Sequence, residues 1–471
     1  MSRLFPAATV LFLASAPLSV FAQTGQGRLT GTVTDSQRAV LPGVTVTAAS
    51  PALIGRQTTV THSDGRYLFP ALPPGVYTLT FARPSFQTIT REGIGLPIAT
   101  TVSVDAELAL AAIREDVVVA GVSPVLDATT TRVGVNLKGD ALVGVPNSTD
   151  LWGVLAESPG IRMQGFDVGG SHKSQQSNYE SFGIQNQVRV ISDGIDHTEG
   201  ANGTGFYEDY YANEEVSVSA LGSDVEMNGG GAAIVTTVKS GGNRFKGLYH
   251  VSYEPGSWVG DNSSPDLEAR GFTGNPNLLF WEAHADLGGP IRKDRAWFYY
   301  AFNHFTIDKV VSGVPQERGT DLGIFDNHTI KGTWRATPSN MLVGYFQQGR
   351  KQKPRRGISA LRSPEAVFGQ DSYSRMYKGE WQSILSDRSF LDVTVGRFTT
   401  DSRFTDQHRF QRQPTDRSDR YRPHHRGPFF DRQRRAQQAS DQSAVYALPT
   451  GVGRKPRLQN RLRIDLRRLP L

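Results

Sequence analysis

Residues 278–308 read LLFWEAHADLGGPIRKDRAWFYYAFNHFTID. Successive side chains of a strand point to opposite sides, so in the first arm Leu279, Trp281, Ala283, Ala285 and Leu287 share one face and Glu282, His284 and Asp286 share the other. The chain then turns at Gly288-Gly289-Pro290 and returns through Trp297, Phe298, Tyr299 and Tyr300. An apolar stripe carrying a Trp opposite a charged stripe has two physical homes. One is a soluble β-sandwich, and the other is a membrane β-barrel with its apolar face outward and its polar face toward the lumen.

The same period of two continues on both sides. Phe245, Tyr249, Val251 and Tyr253 alternate with Arg244, Lys246, His250, Ser252 and Glu254. Ile330, Trp334 and Ala336 alternate with Thr329, Lys331, Thr333 and Arg335, while Tyr377, Trp381 and Leu385 oppose Lys378, Glu380 and Gln382. Asp387-Arg388 then turns the chain into SFLDVTVGRF. Seven strands are predicted, at roughly 244–254, 278–288, 295–308, 327–337, 341–348, 374–385 and 389–400, with aromatics near their ends as interfacial girdles require. Residues 243–404 therefore read as a partial outer-membrane β-barrel. It is incomplete on this reading, because an open edge in hydrocarbon leaves backbone groups unpaired and seven strands cannot enclose a domain the size of 135–242.

The totals agree. Of 471 residues 38% are hydrophobic, an ordinary value for a folded chain and too low for a helical membrane protein. The one long apolar run outside a strand pattern, LFPAATVLFLASAPLSVFA, follows Arg3 and closes on small residues, which predicts a signal peptide over 1–22 cleaved between Ala22 and Gln23. There is no cysteine, so disulfides, thiolate metal sites and a Cys nucleophile are excluded. The net charge of +6 is local: Thr405–Leu471 holds 16 of the 51 Lys+Arg but 6 of the 45 Asp+Glu, leaving 35 against 39 elsewhere. A slightly acidic body gives no ground for a nucleic-acid partner.

Residues 27–110 carry short β-branched runs separated by Pro-Gly, Asp-Gly and Pro-Pro-Gly turns at regular spacing, the pattern of an all-β sandwich. Asp64-Gly65 supplies one turn, after which Tyr67 and Phe69 are expected to point together into the core. GTVTD, LPGVTVT and SDGRYLFPALPPGVYTLTF, in that order, resemble the carboxypeptidase regulatory-like domain, a transthyretin-like sandwich. The resemblance implies no catalysis. No HExxH or HxxE pattern is present, and no Ser/His/Asp set or carboxylate pair stands out, so neither an enzyme nor a cofactor or metal site is expected.

Residues 113–131, IREDVVVAGVSPVLDATTT, read as a linker strand. Within them Glu115, Asp116, Val117, Val118 and Val119 also resemble the TonB box of TonB-dependent outer-membrane transporters, an extended peptide that pairs edge to edge with a periplasmic energy-transducing partner. Residues 135–242 resemble the plug domain of the Oar-like branch of that family through LWGVLAESPGIRM, NQVRVISDGIDHT, ANEEVSVSALGSDVEMNGGGAAIVTTVKSGGNRFKG and the hairpin GGPIRKDRAWFYY. Asp193, Gly194 and Asp196 mark one plug turn. Gly229, Gly230 and Gly231 mark another, suited to close packing or positive φ rather than to phosphate, since no Lys-Ser/Thr follows them. The acidic and aromatic stretch 196–215 reads as a solvated loop, with a Ca²⁺ site as the weaker alternative because the spacing of an EF-hand is missing.

From Thr405 the alternation ends. The stretch 405–471 is expected to be a disordered Arg-rich tail, either translated out of frame or a genuine extension. The whole is thus all-β dominated: a transthyretin-like β-sandwich, an α+β plug, the first strands of an incomplete transmembrane barrel and a disordered basic tail. The resemblance implies uptake across the cell outer membrane, with outer-membrane lipid around the barrel, the sandwich in the periplasm, a TonB-type energy-transducing complex as partner and a glycan, peptide or metal chelate as extracellular substrate. An incomplete copy is expected to be inactive. The alternative is an envelope glycan- or protein-binding adhesion protein without transport, using 196–215 as its recognition surface.

Overall fold

The computed structural model describes residues 27–110, 117–119, 133–406, 442–451 and 462–465, apart from short interruptions at 51, 54–55, 99, 147, 165–172, 174–176, 200–202, 205–206, 222–229, 261–263, 271–273, 275, 363–365 and 387–388. The signal segment with Ala22 and Gln23, the acidic pair Glu115 and Asp116, and Gly229 lie outside the described residues.

The first body is the expected sandwich. One sheet orders Arg66–Leu72, Gly27–Asp35 and Thr101–Ser103, with Ala106–Leu108 also on Gly27–Asp35. The other orders Arg56–Val60, Thr45–Ala49, Gly75–Ala82, Ile89–Leu96 and Val117–Val119. Gly65 takes φ +71° in the Asp-Gly turn, and beyond it Tyr67 and Phe69 are both buried, the Tyr67 ring edge-on to Phe69 and Phe81. Burial raises the Tyr67 phenol well above its ordinary value, and its hydroxyl donates to the Val104 carbonyl at 2.6 Å. The polar tip of the core ring is thus satisfied inside.

The second body is the plug. Its sheet runs Val133–Lys138, Asn213–Leu221, Ala232–Val238, Val188–Ser192 and Ile195–Asp196, with one parallel pairing between Val188–Ser192 and Ala232–Val238. Two short helices, Asp140–Gly144 and Leu151–Ala156, cover it; Asp150 caps the second by accepting from the Gly153 amide at 2.7 Å. Gly231 has φ +92°, and a Cβ there would strike the Gln187 carbonyl, so the glycine-rich turn serves the close packing expected of it.

The third body settles what residues 278–308 ask. Tyr249–Pro255, Asn277–Arg292, Ala296–Lys309, Gly323–Thr337, Asn340–Arg356, Phe368–Ser386, Ser389–Asp406, Gln442–Gly451 and Leu462–Asp465 form one antiparallel sheet in chain order. Its exposure is inverted relative to a soluble sandwich. Tyr249, Val251, Tyr253, Leu287, Ile330, Trp334, Trp381 and Leu385 are exposed, whereas Glu282 and His284 are each 2% exposed and Asn303, Asn327, Thr329, Gln347 and Asp392 are buried with them. Large apolar side chains outside and amides and charges inside are stable only where lipid is the outer solvent. Trp297 and Trp381 sit at one end of the wall and donate their indole N–H to Asn243 and Asn340 at 2.8 and 3.0 Å, as aromatics with one wet end do at a membrane boundary.

Seven of these strands are the seven predicted ones, but most run longer, Phe368–Ser386 reaching 19 residues. Pairing continues past the apolar band into charged runs such as Gln347–Arg356, where alternation no longer marks a strand. The tail departs from expectation. Gln442–Gly451 and Leu462–Asp465 add to the edge left by Ser389–Asp406, so 405–471 is not without strands. An open edge recruits any extended segment that offers backbone partners, and a segment as short as Leu462–Asp465, or with a run as uniformly apolar as AVYAL in Gln442–Gly451, gives a periodicity reading little to find. The rest of 407–471 lies outside the described residues.

Candidate functional site: the interface between plug and wall

The plug rests against the polar face of the wall, joined to it by ion pairs and by an apolar cluster in which Ile195, Ala212 and Val238 meet Tyr299, Ala301, Tyr345, Met376 and Phe398. Asp193, in the Asp-Gly turn after Val188–Ser192, is 7% exposed and faces two lysines of the wall, Lys331 at 3.0 Å and Lys378 at 3.3 Å. Lys331 also donates to the Val238 carbonyl at 3.1 Å and Lys378 to the Asp193 carbonyl at 2.9 Å. Burial raises the Asp193 carboxyl, but the two ammonium groups outweigh it and hold the group at about 2. The turn is thus an anionic foot between two cations on strands Gly323–Thr337 and Phe368–Ser386, which flank Asn340–Arg356.

A second junction is built on the quoted arm. His284 Nδ1 lies 2.9 Å from Asp209 of the plug, and its Nε2 lies 3.2 Å from Asp286 of the wall. Carboxylates only accept, so both ring nitrogens donate and the ring is the imidazolium bridging the two bodies. Asp286 also accepts from Lys239 at 2.8 Å, from the Tyr299 hydroxyl at 3.1 Å and from the Leu248 amide at 2.7 Å. A third junction places Lys173 of the plug 2.6 Å from Glu282, which also accepts from Asn303 at 2.9 Å and from Thr149 at 3.3 Å. The alternating Glu282, His284 and Asp286 are therefore lumen contacts to the plug.

Within the plug Ser192, His197, Glu208 and Thr236 form a closed cluster. Ser192 Oγ is 2.8 Å from His197 Nε2 and bonds Glu208, while Thr236 reaches Ser192 at 2.9 Å and Glu208 at 3.2 Å. Glu208 meets the same ring nitrogen at 2.8 Å, and Thr204 faces the other at 3.1 Å. A nucleophile triad needs its acid on the nitrogen away from the serine and a path for substrate. Here serine and acid share one nitrogen, and Ser192, His197 and the Glu208 side chain are shut away from solvent. The cluster holds strands together.

These contacts correct one expectation. The described part of 196–215 is not a solvated loop: Asp209, Tyr210, Tyr211 and Glu215 are buried, and the Glu208 side chain with them, because the plug itself, the wall and the sandwich supply their partners. Asp196 pairs with Arg189 at 2.5 Å and accepts from Thr198, closing its own turn and leaving the wall to Asp193. Ile195 packs against the wall where a Cβ on Gly396 would overlap its side chain. Sequence reading did not find Lys173, and it had Asp209 only as one acid of the stretch 196–215, since neither carries a periodic signal. Lys331 and Lys378 were visible as polar alternates without partners.

Below the plug a cavity of about 1000 Å³ opens between all three bodies, lined among others by Pro74 and Ile98 of the sandwich, Glu214 and Lys239 of the plug, and Trp297 and Arg335 of the wall. The sandwich is fastened at its rim, where the Ile98 amide donates to Glu215 at 2.8 Å and Asn136 donates to the same oxygen at 2.7 Å. Val117–Val119 pairs parallel with Ile89–Arg91 of the sandwich.

The carboxypeptidase regulatory-like domain family matches residues 28–109. The TonB-dependent transporter Oar of Myxococcus xanthus is 31% identical over 297 residues, covering 60% of this chain and 27% of that protein. The chain is similar to Oar-type TonB-dependent transporters. It spans about a quarter of the length of that Oar relative, 27%. Solved structures with partial likeness to the Oar-like chain include the outer-membrane transporter YddB of Escherichia coli, at 14% identity and TM-score 0.45 over 67% of this chain and 44% of that one. The pyoverdine receptor FpvA of Pseudomonas aeruginosa follows at 13% identity and TM-score 0.41, over 57% and 37%.

Proposed function

We propose that this chain serves TonB-dependent uptake at the cell outer membrane, as a receptor whose plug is displaced by an energy-transducing partner in the periplasm. The observation that carries the reading is the inverted wall filled by an ion-bolted plug. A sheet with lipid outside and a polar lumen makes a passage, and a domain held there by ion pairs, with one apolar patch around Ile195, Ala212 and Val238, makes a stopper whose own core stays closed when it is detached. The solute is a glycan, peptide or metal chelate arriving from outside, and no step of bond chemistry is assigned to the chain.

The proposed handle is Glu115, Asp116, Val117, Val118 and Val119. Force applied there passes along the chain to Val133–Lys138, the plug strand paired with Asn213–Leu221, and so to the segment bearing Asp209. On this reading the sandwich lies on the periplasmic side, beside the handle that it contacts. Of the acidic and aromatic residues that the adhesion alternative would use, Asp209, Tyr210, Tyr211 and Glu215 are buried, and among the described ones Glu199 and Glu214 are exposed, too few to make 196–215 a recognition surface.

Binding of the full chain in detergent to the purified periplasmic domain of a TonB-type protein tests the handle. Val118→Pro removes a backbone donor and fixes φ, so it should weaken binding at least tenfold if an extended strand is recognised. Undiminished binding would remove the TonB-box assignment.

A further inference from the structure

We infer that the sandwich presents the Val117–Val119 strand, holding it as a ready edge for an extended, cationic strand of the energy partner. The inference rests on the reading of Glu115 to Val119 as the partner-binding handle and adds what the sandwich does there.

The backbone carries it. Ile89–Leu96 pairs on one side with Gly75–Ala82 and on the other with Val117–Val119, in the parallel register Ile89↔Val117, Thr90↔Val118 and Arg91↔Val119. The chain reaches this place by following the sandwich edge: the Gln87 amide donates to the Ala109 carbonyl at 2.8 Å, and Phe86 bridges Leu110. Val117–Val119 is the end of the sheet, and among the described residues no strand pairs with its outer side. Every second backbone N–H and C=O of a strand points to each flank, so the flank facing away from Ile89–Arg91 is left for another chain.

The flanking charge selects the occupant. Glu115-Asp116 immediately precedes the three valines, and no charged residue follows them until Asp127. A second copy of the same strand would bring acid toward acid if parallel and leave the acids opposite uncharged residues if antiparallel, whereas a strand carrying Lys or Arg would gain opposite-charge cross-strand pairs. A free linker must be ordered when it binds; one already paired has been ordered by the sandwich, so the partner meets a template. The Ile98–Glu215 bond ties the same sandwich to the plug and sets where the template stands.

The chain has no cysteine, so a pair can be placed without background. Aligned positions on adjacent strands are about 4.8 Å apart, within disulfide reach. The experiment oxidises full-length Thr90→Cys/Val118→Cys in detergent and measures its affinity for the purified periplasmic domain of a TonB-type protein, before oxidation, after it and again after reductant. The same molecules serve each time, so a folding defect would appear in all three. The expected result is rapid intramolecular cross-linking, slower cross-linking of the slipped pair Thr90→Cys/Val117→Cys, and binding at least threefold tighter when oxidised, reversed by reductant. No cross-link, or equal rates for the aligned and slipped pairs, overturns the docking. Cross-linking with unchanged or weaker binding overturns presentation, the weaker case showing that the sandwich hides the strand. Val118→Pro in the reduced chain separates the underlying reading: if it leaves binding undiminished while the aligned pair still cross-links, the strand sits on the sandwich but the partner reads another segment, and presentation falls with the handle.

Discussion

Asp193 shows how one residue of the plug depends on two of the wall. With Lys331 and Lys378 at 3.0 and 3.3 Å, removing its charge leaves two buried ammonium groups without their shared anion. Breaking a buried pair from one side costs about 3–5 kcal/mol, so Asp193→Asn should loosen the plug and make its lysines and arginines accessible to trypsin in detergent. Adding Lys331→Met should recover part of that loss, because one orphaned charge goes with it; a double variant as loose as the single one would deny the coupling. The same carboxyl gives a pH test. It is held at about 2 in the fold, below the value of about 3.9 in an unfolded chain. A depressed folded value means that the stabilisation is complete above about pH 4 and is lost as pH falls through about 2. Plug release measured by proteolysis with an acid-stable protease should therefore show an Asp193-dependent component between about pH 4 and 2 that Asp193→Asn lacks. An identical acid profile in the variant would assign acid release to other groups.

At the scale of elements, contact between plug and wall is a matter of clearance as well as charge. Gly396 of Ser389–Asp406 faces Ile195, and a Cβ there would overlap the Ile195 side chain. Neither element can retreat cheaply, since Ile195–Asp196 is paired to the plug sheet and Ser389–Asp406 to strands on both sides. Gly396→Val should lift this corner of the plug and cost about 1–3 kcal/mol, the usual penalty of overpacking, with Ile195→Ala as the compensating change. Thermal unfolding of the single and double variants would show it, and equal losses in both would point to strand damage alone. This junction also shows where sequence reading stops. Periodicity placed Gly396 in a wall strand and sorted Glu282, His284 and Asp286 onto one face, while Ile195 was legible only as following the Asp-Gly turn of a plug segment. It could not join Asp209 to His284 or Lys173 to Glu282, because those partners are set by how one body lies in another and neither body's period encodes that. Asp64-Gly65 with Tyr67 and Phe69 was legible because turn chemistry and core direction are local. Gln442–Gly451 was not, since its place depends on an edge offered by Ser389–Asp406.

At the scale of the whole molecule the sheet raises a question of closure. Among the described residues nine strands run in order from Tyr249–Pro255 to Leu462–Asp465, and the two outer ones pair with no strand on their far sides. In hydrocarbon each unpaired backbone group costs several kcal/mol, so a spanning sheet has to close. A lumen able to hold a plug takes about 22 strands in transporters of this shape. Nine strands closed on themselves would leave too small a bore for the plug sheet and its helices, yet the plug already lies against the wall through Asp193, Asp209 and Lys173. The sheet and the plug it carries are therefore compatible only while the sheet stays open or is joined by further strands. The 471-residue chain, expressed alone and extracted in mild detergent, should run at one position on SDS gels whether heated or not, because resistance to SDS before heating comes from a closed hydrogen-bonded ring. A heat-dependent shift would mean that the edge at Tyr249–Pro255 is paired in the detergent-extracted protein, and crosslinking from Val251→Cys would then identify the strand that closes it.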